Sequence, residues 1–251
     1  MITVKSPREI KLMRDACRLT AGARSVGRRM VAPGVTTGEI DRAIHDYIVK
    51  AGAKPSFLGY NGFPGSACVS VNDEVIHGIP GARKVREGDI VSIDVGAFIG
   101  GFNGDCAGTY PAGEVSEGSR LLIEATRQAF FEGIRFAKVG YRVSDISHAI
   151  QEYVEHRGFS LVREYVGHGV GRNLHEGPEI PNFGTPGHGA RLVKGMTLAI
   201  EPMVIAGRRE IRVLDNDWTV VTIDGSFSAH YENTVLITDG EPEILTAAED
   251  M

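Results

Sequence analysis

Two stretches near the start of the chain repeat their apolar residues with the period of an α-helix. The first opens at a capping box formed by Ser6 and Glu9, with Pro7 in the first helical position, and extends over residues 6–30. The second covers residues 36–52 and stops at a glycine. The same period predicts two later amphipathic helices, over residues 116–138 and 144–156.

A strand pattern replaces the helical one over residues 90–110, where two apolar runs meet at Gly100-Gly101. It predicts an antiparallel hairpin in which each strand carries an aspartate, Asp94 or Asp105. A two-residue loop at 99–100 places the aspartates directly opposite each other, whereas a loop at 100–101 makes them diagonal neighbours on one face. Either register brings the two carboxylates within roughly 5 to 8 Å of each other.

The chain also contains an internal repeat. Residues 34–52 match residues 140–158 at six of nineteen positions, including the glycines at both ends. Helical periodicity alone does not require those matching glycines. A second match, at a nearly equal offset, aligns Asp94 with Glu201, so that both copies predict a carboxylate at the same position of an apolar strand.

The repeat predicts one domain of two similar halves, about residues 1–112 and 113–251. Such halves pack most simply around a pseudo-two-fold axis, with antiparallel sheets at the centre and helices outside. The predicted fold class is therefore α/β (α+β). Asp94 and Glu201 would face each other across the axis, and a further predicted strand over residues 229–237 adds a fourth carboxylate, Glu232.

Composition excludes several classes of protein. The chain has 251 residues, of which 42% are hydrophobic and 24% charged, with a net charge of −5, as is ordinary for a globular protein. No basic block indicates a nucleic-acid partner. No apolar signal core or run of ~18 apolar residues is present, so we expect neither secretion nor a membrane partner. Three scattered cysteines indicate reduced thiols in the cytoplasm.

The stretch YVGHGVGRNLHEG adds two histidines, His168 between glycines and His175 seven residues later. Four carboxylates carry four negative charges, which two divalent cations would neutralise. A carboxylate-rich site with one imidazole suits Mn, Fe or Co, and Zn is also compatible. Two such ions activate water and polarise a carbonyl oxygen, which indicates hydrolysis of an amide or ester.

Six motifs in this order resemble those of the methionine aminopeptidases, in the pita-bread metallopeptidase family. The motifs are NDEVIHGIP, IDV at Asp94, GD at Asp105, GHGVGRNLHEGP, AIEPM at Glu201 and SAHYENT at Glu232. The resemblance spans essentially the whole chain. The short distance from His175 to Glu201, 26 residues, resembles type 1 enzymes. The lack of a Cys-rich extension before the domain resembles bacterial forms.

This resemblance implies a pseudo-symmetric fold with a dinuclear metal centre. Asp94, Asp105 and Glu232 would bind one ion, and Asp105, His168, Glu201 and Glu232 would bind the other. Glu201 would move the proton, His175 would stabilise charge on the scissile carbonyl, and His77 would hydrogen-bond the scissile nitrogen or the adjoining amide. The free α-amine of the substrate would also bind a metal, which implies exopeptidase action.

The resemblance further implies an apolar pocket for the substrate side chain. Its residues would be Phe57, Tyr60, Phe63, Cys68 and Trp218, with His77 and His175 completing the substrate site. The chain departs from better-known members at four positions: Phe57, where some have Cys; Phe63, where some have Tyr; Leu174, where many have Phe; and His230, where Gln is common. These departures affect the expected shape of the pocket and leave the chemistry intact.

The implied activity is removal of the initiator methionine from new polypeptides when the second residue is small. The expected partners are N-termini of nascent chains near the ribosome, and the expected state is a monomer. One alternative is a related aminopeptidase of other specificity, for example for proline, with the same metal set. The other is a metal-free peptide-binding module of the same fold, which should have lost metal ligands.

Overall fold

A computed structural model of the chain describes residues 2–247. The helices within this range are α1 (Pro7–Met30), α2 (Thr37–Lys50), α3 (Glu117–Ile134) and α4 (Val143–Glu155). The predicted starts of α1 and α2 are confirmed, since capping boxes at Ser6 and Thr36 satisfy their first N–H groups. Helix α3 ends earlier than residue 138, because the chain continues in tight turns such as Ala137 N–H to the Ile134 carbonyl.

Short β-strands occupy much of the remaining chain. They are β1 (Lys54–Pro55), β2 (Ala67–Val71), β3 (Glu74–Ile76), β4 (Ile90–Ile99), β5 (Phe102–Pro111), β6 (Ser160–Leu161), β7 (Gly167–Gly169), β8 (Glu176–Ile180), β9 (Thr197–Ile200), β10 (Met203–Ile205), β11 (Ile211–Val213), β12 (Val220–Thr222), β13 (Ser228–His230), β14 (Asn233–Leu236) and β15 (Glu243–Ile244). All their pairings are antiparallel.

In the first half of the chain, α1 and α2 pack against the sheet built on the hairpin of β4 and β5. Asp94 lies opposite Ala107, and Asp105 lies opposite Gly96. The loop therefore falls at Gly100-Gly101, where φ is 62° and 86°, as the tightest hairpin turns require. Of the two registers that the sequence leaves open, the structure adopts the one with diagonal aspartates.

In the second half, α3 and α4 cover two sheets, with strand orders β15-β14-β9-β7-β8 and β13-β10-β6. Buried side chains such as Phe130, Ile150 and Leu198 fill the core between these helices and the strands. A fourth sheet, β11-β12-β3, joins a strand of the first half to two strands of the second. The sheets thus lie inside and the helices outside, as the sequence predicts.

The single strand predicted over residues 229–237 is wrong. The chain breaks at Tyr231-Glu232 into β13 and β14, which belong to different sheets. Strands β9 and β10 break at the same level, at Glu201-Pro202, because they pair with β14 and β13 respectively. Tyr231 N–H donates to the Pro202 carbonyl at 3.2 Å across these breaks. Glu201 and Glu232 therefore lie in paired interruptions between sheets and not inside strands.

The two halves meet where β5 contacts the interruption at Glu232. The backbone groups of Ala107 and Glu232 exchange two hydrogen bonds, of 3.2 and 3.1 Å. The Thr234 hydroxyl donates to the Asp105 carbonyl at 2.8 Å. The buried Arg24 guanidinium donates to the carbonyls of Ala107 and Glu232 at 3.1 and 3.2 Å. This junction holds Asp105 and Glu232 side by side.

Two further expectations concern the chain as a whole. None of the helices in residues 2–247 is long and apolar enough to cross a membrane. Cys17, Cys68 and Cys106 are buried free thiols, in line with the scattered cysteine pattern. Burial raises the pKa of Cys106 to about 12, so this thiol stays protonated near pH 7.

Candidate active site

A cavity of about 360 Å³ brings together every residue that the sequence places in the site. The first half contributes Phe57, Tyr60, Phe63, Cys68, His77, Asp94 and Asp105. The second half contributes His168, His175, Glu201, Trp218 and Glu232. Both halves of the chain are therefore needed to build this one cavity.

Four carboxylates converge in the cavity. Asp94 lies in β4 and Asp105 in β5, while Glu201 and Glu232 come from the paired interruptions of the second half. Asp105 and Glu232 are only 3% and 2% exposed. One oxygen each of Asp94, Asp105 and Glu232 is buried without a hydrogen-bond partner in residues 2–247. Burying such oxygens is costly, so the cluster needs a ligand to satisfy them.

Burial and mutual repulsion disfavour the ionised forms of these groups. Burial raises the pKa of Asp94 to about 7. The pKa of Asp105 is raised by burial and by the charges of Asp94 and Glu201. Burial, followed by the neighbouring carboxylates, raises the pKa of Glu232, and burial with Asp94 raises that of Glu201. A bound divalent cation reverses this balance because its charge favours the carboxylates.

His168 in β7 supplies an imidazole to the cluster. Its Nε2 lies 3.6 Å from Glu201 Oε1 and 3.7 Å from Asp105 Oδ2. Its Nδ1 lies 2.8 Å from the Gly169 carbonyl, which only accepts, so Nδ1 holds the proton and Nε2 turns a lone pair to the carboxylates. Burial lowers the pKa of His168 to about 3 and keeps the ring neutral. Ligand atoms of Asp105, His168 and Glu232 all lie within 4.8 Å of one another, an arrangement that fits a divalent cation.

Two further histidines line the cavity. His175 lies in the loop between β7 and β8, and its Nδ1 is 2.8 Å from the Tyr60 hydroxyl. His77 follows β3 with a φ of 57° and packs edge-on against Tyr165 and Trp218. Burial lowers the pKa of His77 to about 4 and also lowers that of His175. Both rings are therefore neutral near pH 7, and each can donate one N–H.

An apolar cluster forms part of the same cavity. Phe57, Phe63, Cys68 and Leu174 are all buried, and Trp218 packs against them. The ring of Phe63 meets that of Trp218 edge-on, with 5.1 Å between the centroids. A pocket lined in this way accepts an apolar side chain and leaves the polar cluster to hold the backbone of a ligand.

Several residues at the site are not predicted from the sequence, among them Ile76, Tyr165 and His230. Ile76 and Tyr165 line the cavity, and their positions next to the histidine motifs were the available signal. His230, marked in the sequence only as a departure from the family, has its Nε2 3.7 Å from Glu201 Oε2. That nitrogen is buried with no hydrogen-bond partner in the described part of the chain. No local pattern connects His230 with Glu201.

Known proteins resemble the chain along its whole length. Residues 11–239 match metallopeptidase family M24. The chain is 52% identical over 250 residues to a methionine aminopeptidase of Clostridium acetobutylicum, covering 99% of this chain and 100% of the relative. It is also 52% identical over 246 residues to methionine aminopeptidase 1 of Bacillus subtilis, covering 98% and 99%.

Solved structures give the same result for the fold. The crystal structure of methionine aminopeptidase from Thermotoga maritima has a TM-score of 0.97 at 49% identity, covering 99% of this chain and 100% of that one. Prolidase from Pyrococcus furiosus has a TM-score of 0.81 at 24% identity, covering 98% of this chain and 66% of that one. The second likeness concerns the fold alone. Together they confirm the predicted pita-bread architecture of two halves.

Proposed function

The chain belongs to metallopeptidase family M24, and on this premise we propose that it removes the N-terminal methionine from new polypeptides whose second residue is small. It is a hydrolase, and it acts on polypeptide N-termini. The observation that carries the proposal is the cavity itself, which joins a carboxylate and imidazole cluster to an apolar pocket.

The family implies divalent metal ions, and the chain's own residues fit them. The unpartnered carboxylate oxygens and the lone pair of His168 face one another and offer the ligand atoms that a divalent cation takes. We propose two ions, of Mn, Fe or Co, with Zn also compatible. Asp94, Asp105 and Glu232 would hold one, and Asp105, His168, Glu201 and Glu232 would hold the other. When bound, such ions activate a water molecule and polarise the scissile carbonyl.

The remaining polar residues orient the substrate and move protons. When the Tyr60 hydroxyl donates to Nδ1 of His175, the proton of that ring resides on Nε2. That N–H can then donate to the scissile carbonyl oxygen as negative charge develops there. His77, kept neutral by burial, hydrogen-bonds the scissile nitrogen or the adjoining amide. Glu201 takes a proton from the attacking water and delivers it to the leaving nitrogen.

The apolar part of the cavity selects the side chain. Phe57, Phe63, Cys68 and Leu174 enclose a space for methionine, whose unbranched thioether fills irregular apolar pockets. The carboxylate cluster beside it favours a free α-amine, which an internal peptide bond does not have. Tyr165 lines the same cavity with its ring packed against His77, and we propose that it limits the space for the second residue of the substrate.

We propose that the chain is organised as a single domain. Residues 1–251 form one metallopeptidase domain with repeated halves of about 1–112 and 113–251. The family match over residues 11–239 and the hydrogen bonds between Ala107 and Glu232 support this proposal. Nascent chains near the ribosome are the proposed substrates, the cytoplasm is the proposed location, and a monomer is the proposed state.

Two alternatives share the fold. A proline-specific aminopeptidase uses the same kind of metal centre, but prolidase resembles this chain in fold alone. A metal-free binding module should lack metal ligands, yet all five proposed ligands line the cavity. Neither alternative has a structural observation in its favour.

Peptide hydrolysis separates these activities. Metal-free protein is titrated with Mn, Co or Fe and given Met-Ala-Ser, Pro-Ala-Ser or N-acetylated Met-Ala-Ser. We expect metal-dependent release of methionine from the first peptide only, and no activity for an Asp105→Asn control. Release of proline would overturn the substrate assignment. A folded, metal-loaded protein that turns over none of the peptides would favour the binding module.

A further inference from the structure

A buried ion pair joins the start of the chain to the loop that carries His175. Lys5 Nζ lies 2.8 Å from Glu176 Oε2, and the two side chains are 4% and 5% exposed. Glu176 directly follows His175, which lines the cavity. The pair lies outside that lining, so the chemistry described above does not account for it.

The pair is held tightly on every side. Glu176 Oε1 accepts the N–H of Asn173 at 3.1 Å, and Oε2 also accepts the hydroxyl of Thr3. Lys5 Nζ donates to Thr3 Oγ1 at 2.8 Å. A Cβ added to Gly171 would lie 2.7 Å from Glu176 Oε1 and 2.8 Å from Lys5 Nζ. The backbone of the loop thus packs directly onto the two charged groups.

The N-terminal segment that presents Lys5 is itself anchored. Lys5 N–H donates to the Gly195 carbonyl at 2.8 Å, and Ile2 forms a parallel bridge with Gly177. The next residue, Ser6, begins the capping box of α1. The ammonium group therefore has a fixed position to which the loop can be held.

We propose that Lys5 is a positioning residue for the reaction: through Glu176 it holds the loop over residues 171–176, so that His175 meets the Tyr60 hydroxyl and the scissile carbonyl. This inference rests on the proposed function, in which His175 stabilises charge on that carbonyl. A charged pair suits the task because its hydrogen bonds are short and directional. Without Lys5, the buried carboxylate of Glu176 would have no countercharge, and the loop would shift to hydrate it.

The variant Lys5→Met keeps most of the side-chain volume and removes the ammonium group. The contact between His175 and the developing charge strengthens in the transition state, so its misalignment lowers kcat more than it raises KM. We expect kcat for Met-Ala-Ser to fall by about tenfold or more, and KM to change by less than about threefold.

A double-mutant cycle with His175→Ala distinguishes positioning from general support. If Lys5 acts by placing His175, adding Lys5→Met to His175→Ala should change kcat by less than about twofold, because no imidazole is left to place. A merely structural role would lower kcat by the same factor in both backgrounds, and that result would overturn the inference. Arg172→Met is the matched control, since Arg172 ties the same loop to Glu9 at 3.0 Å but is 64% exposed. It should change kcat by less than about twofold.

A second variant guards against loss of folding. Gly171→Ala keeps every charge but places a Cβ 2.7 Å from Glu176 Oε1 and 2.8 Å from Lys5 Nζ, so that these side-chain ends must shift. It takes the place of Lys5→Met in the same cycle if the Lys5→Met protein does not fold. An inactive wild type would overturn the proposed function and this inference together. An active wild type with equal losses of kcat in both backgrounds would overturn the positioning role alone.

Discussion

Replacing Glu232 by glutamine should stabilise the metal-free protein while abolishing its metal-dependent activity. Glu232 is 2% exposed, and one of its oxygens lies within 4.8 Å of a ligand oxygen of Asp105. Two unit charges at that distance repel by about 3 kcal/mol at an effective dielectric constant of about 20. A buried carboxyl group can take up a proton instead, so the net penalty is smaller. We expect Glu232→Gln to raise the free energy of unfolding by about 1 to 3 kcal/mol at pH 8.

The gain in the free energy of unfolding should depend on pH, and the direction of the pKa shift of Glu232 decides whether it grows or shrinks as the pH rises. Burial and the neighbouring carboxylates raise the pKa of Glu232 above its ordinary value of 4.5. Such a group costs no stability below pH 4.5, where it is protonated in both states, and costs progressively more as the pH rises towards its folded-state pKa. The stabilisation by glutamine should therefore be close to zero at pH 4 and largest at pH 8.

Urea unfolding at pH 4, 6 and 8, followed by the fluorescence of the single tryptophan, Trp218, measures this difference. Glu176→Gln is the matched control: Glu176 is also buried but is paired with Lys5, so its replacement should lower the free energy of unfolding. With saturating Mn, the wild type should become more stable to unfolding than Glu232→Gln, because metal binding stabilises the wild type more. A metal-free Glu232→Gln protein less stable than wild type at pH 8 would refute the argument from repulsion.

Three further changes test other parts of the structure. Leu174→Ala should enlarge the apolar pocket and lower kcat/KM for Met-Ala-Ser by about 10- to 100-fold, while the relative rate for Phe-Ala-Ser rises in steady-state kinetics. Burial lowers the pKa of His77 from 6.5 to about 4, so its neutral form adds stability that is complete above pH 6.5 and is lost as the pH falls through 4. Between pH 6.5 and pH 4, the stability of His77→Gln in thermal unfolding should accordingly fall less than that of the wild type. An equal fall would contradict the lowered pKa of His77. Gly104→Ala would put a Cβ 2.6 Å from Thr20 Oγ1 and should lower the free energy of unfolding by about 1 to 3 kcal/mol, whereas Gly81→Ala, with open space, should have little effect in the same denaturant assay.

The elements that depend on near neighbours in the chain could be predicted from the sequence. Capping residues and helical periodicity located the helices, and the aspartates of the hairpin were visible as carboxylates within apolar runs. The register stayed open because Gly100 and Gly101 both suit a turn. The break at Tyr231-Glu232 could not be predicted, since no glycine or proline marks it between residues 229 and 237. It follows from pairing with β9 and β10, which are distant in sequence.

In the site, too, contacts between residues distant in sequence could not be predicted. The motif residues are unusual for their local surroundings, and the structure places all of them in one cavity; their individual roles stay predictions. Lys5 and Glu176 are 171 positions apart, and neither interrupts an apolar run. Two charged residues of this kind are indistinguishable from ordinary surface charges until the fold brings them together.

The division of the cluster between the halves has a consequence for how such a chain could arise. Asp94 and Asp105 come from one half, and His168, Glu201 and Glu232 come from the other. A half-length ancestor could have built a comparable cluster only by pairing with a copy of itself, which would force both copies to carry the same residues. Duplication and fusion within one gene would have removed that constraint. The repeat aligns Asp94 with Glu201, which differ in side-chain length, and two identical copies could not carry that difference.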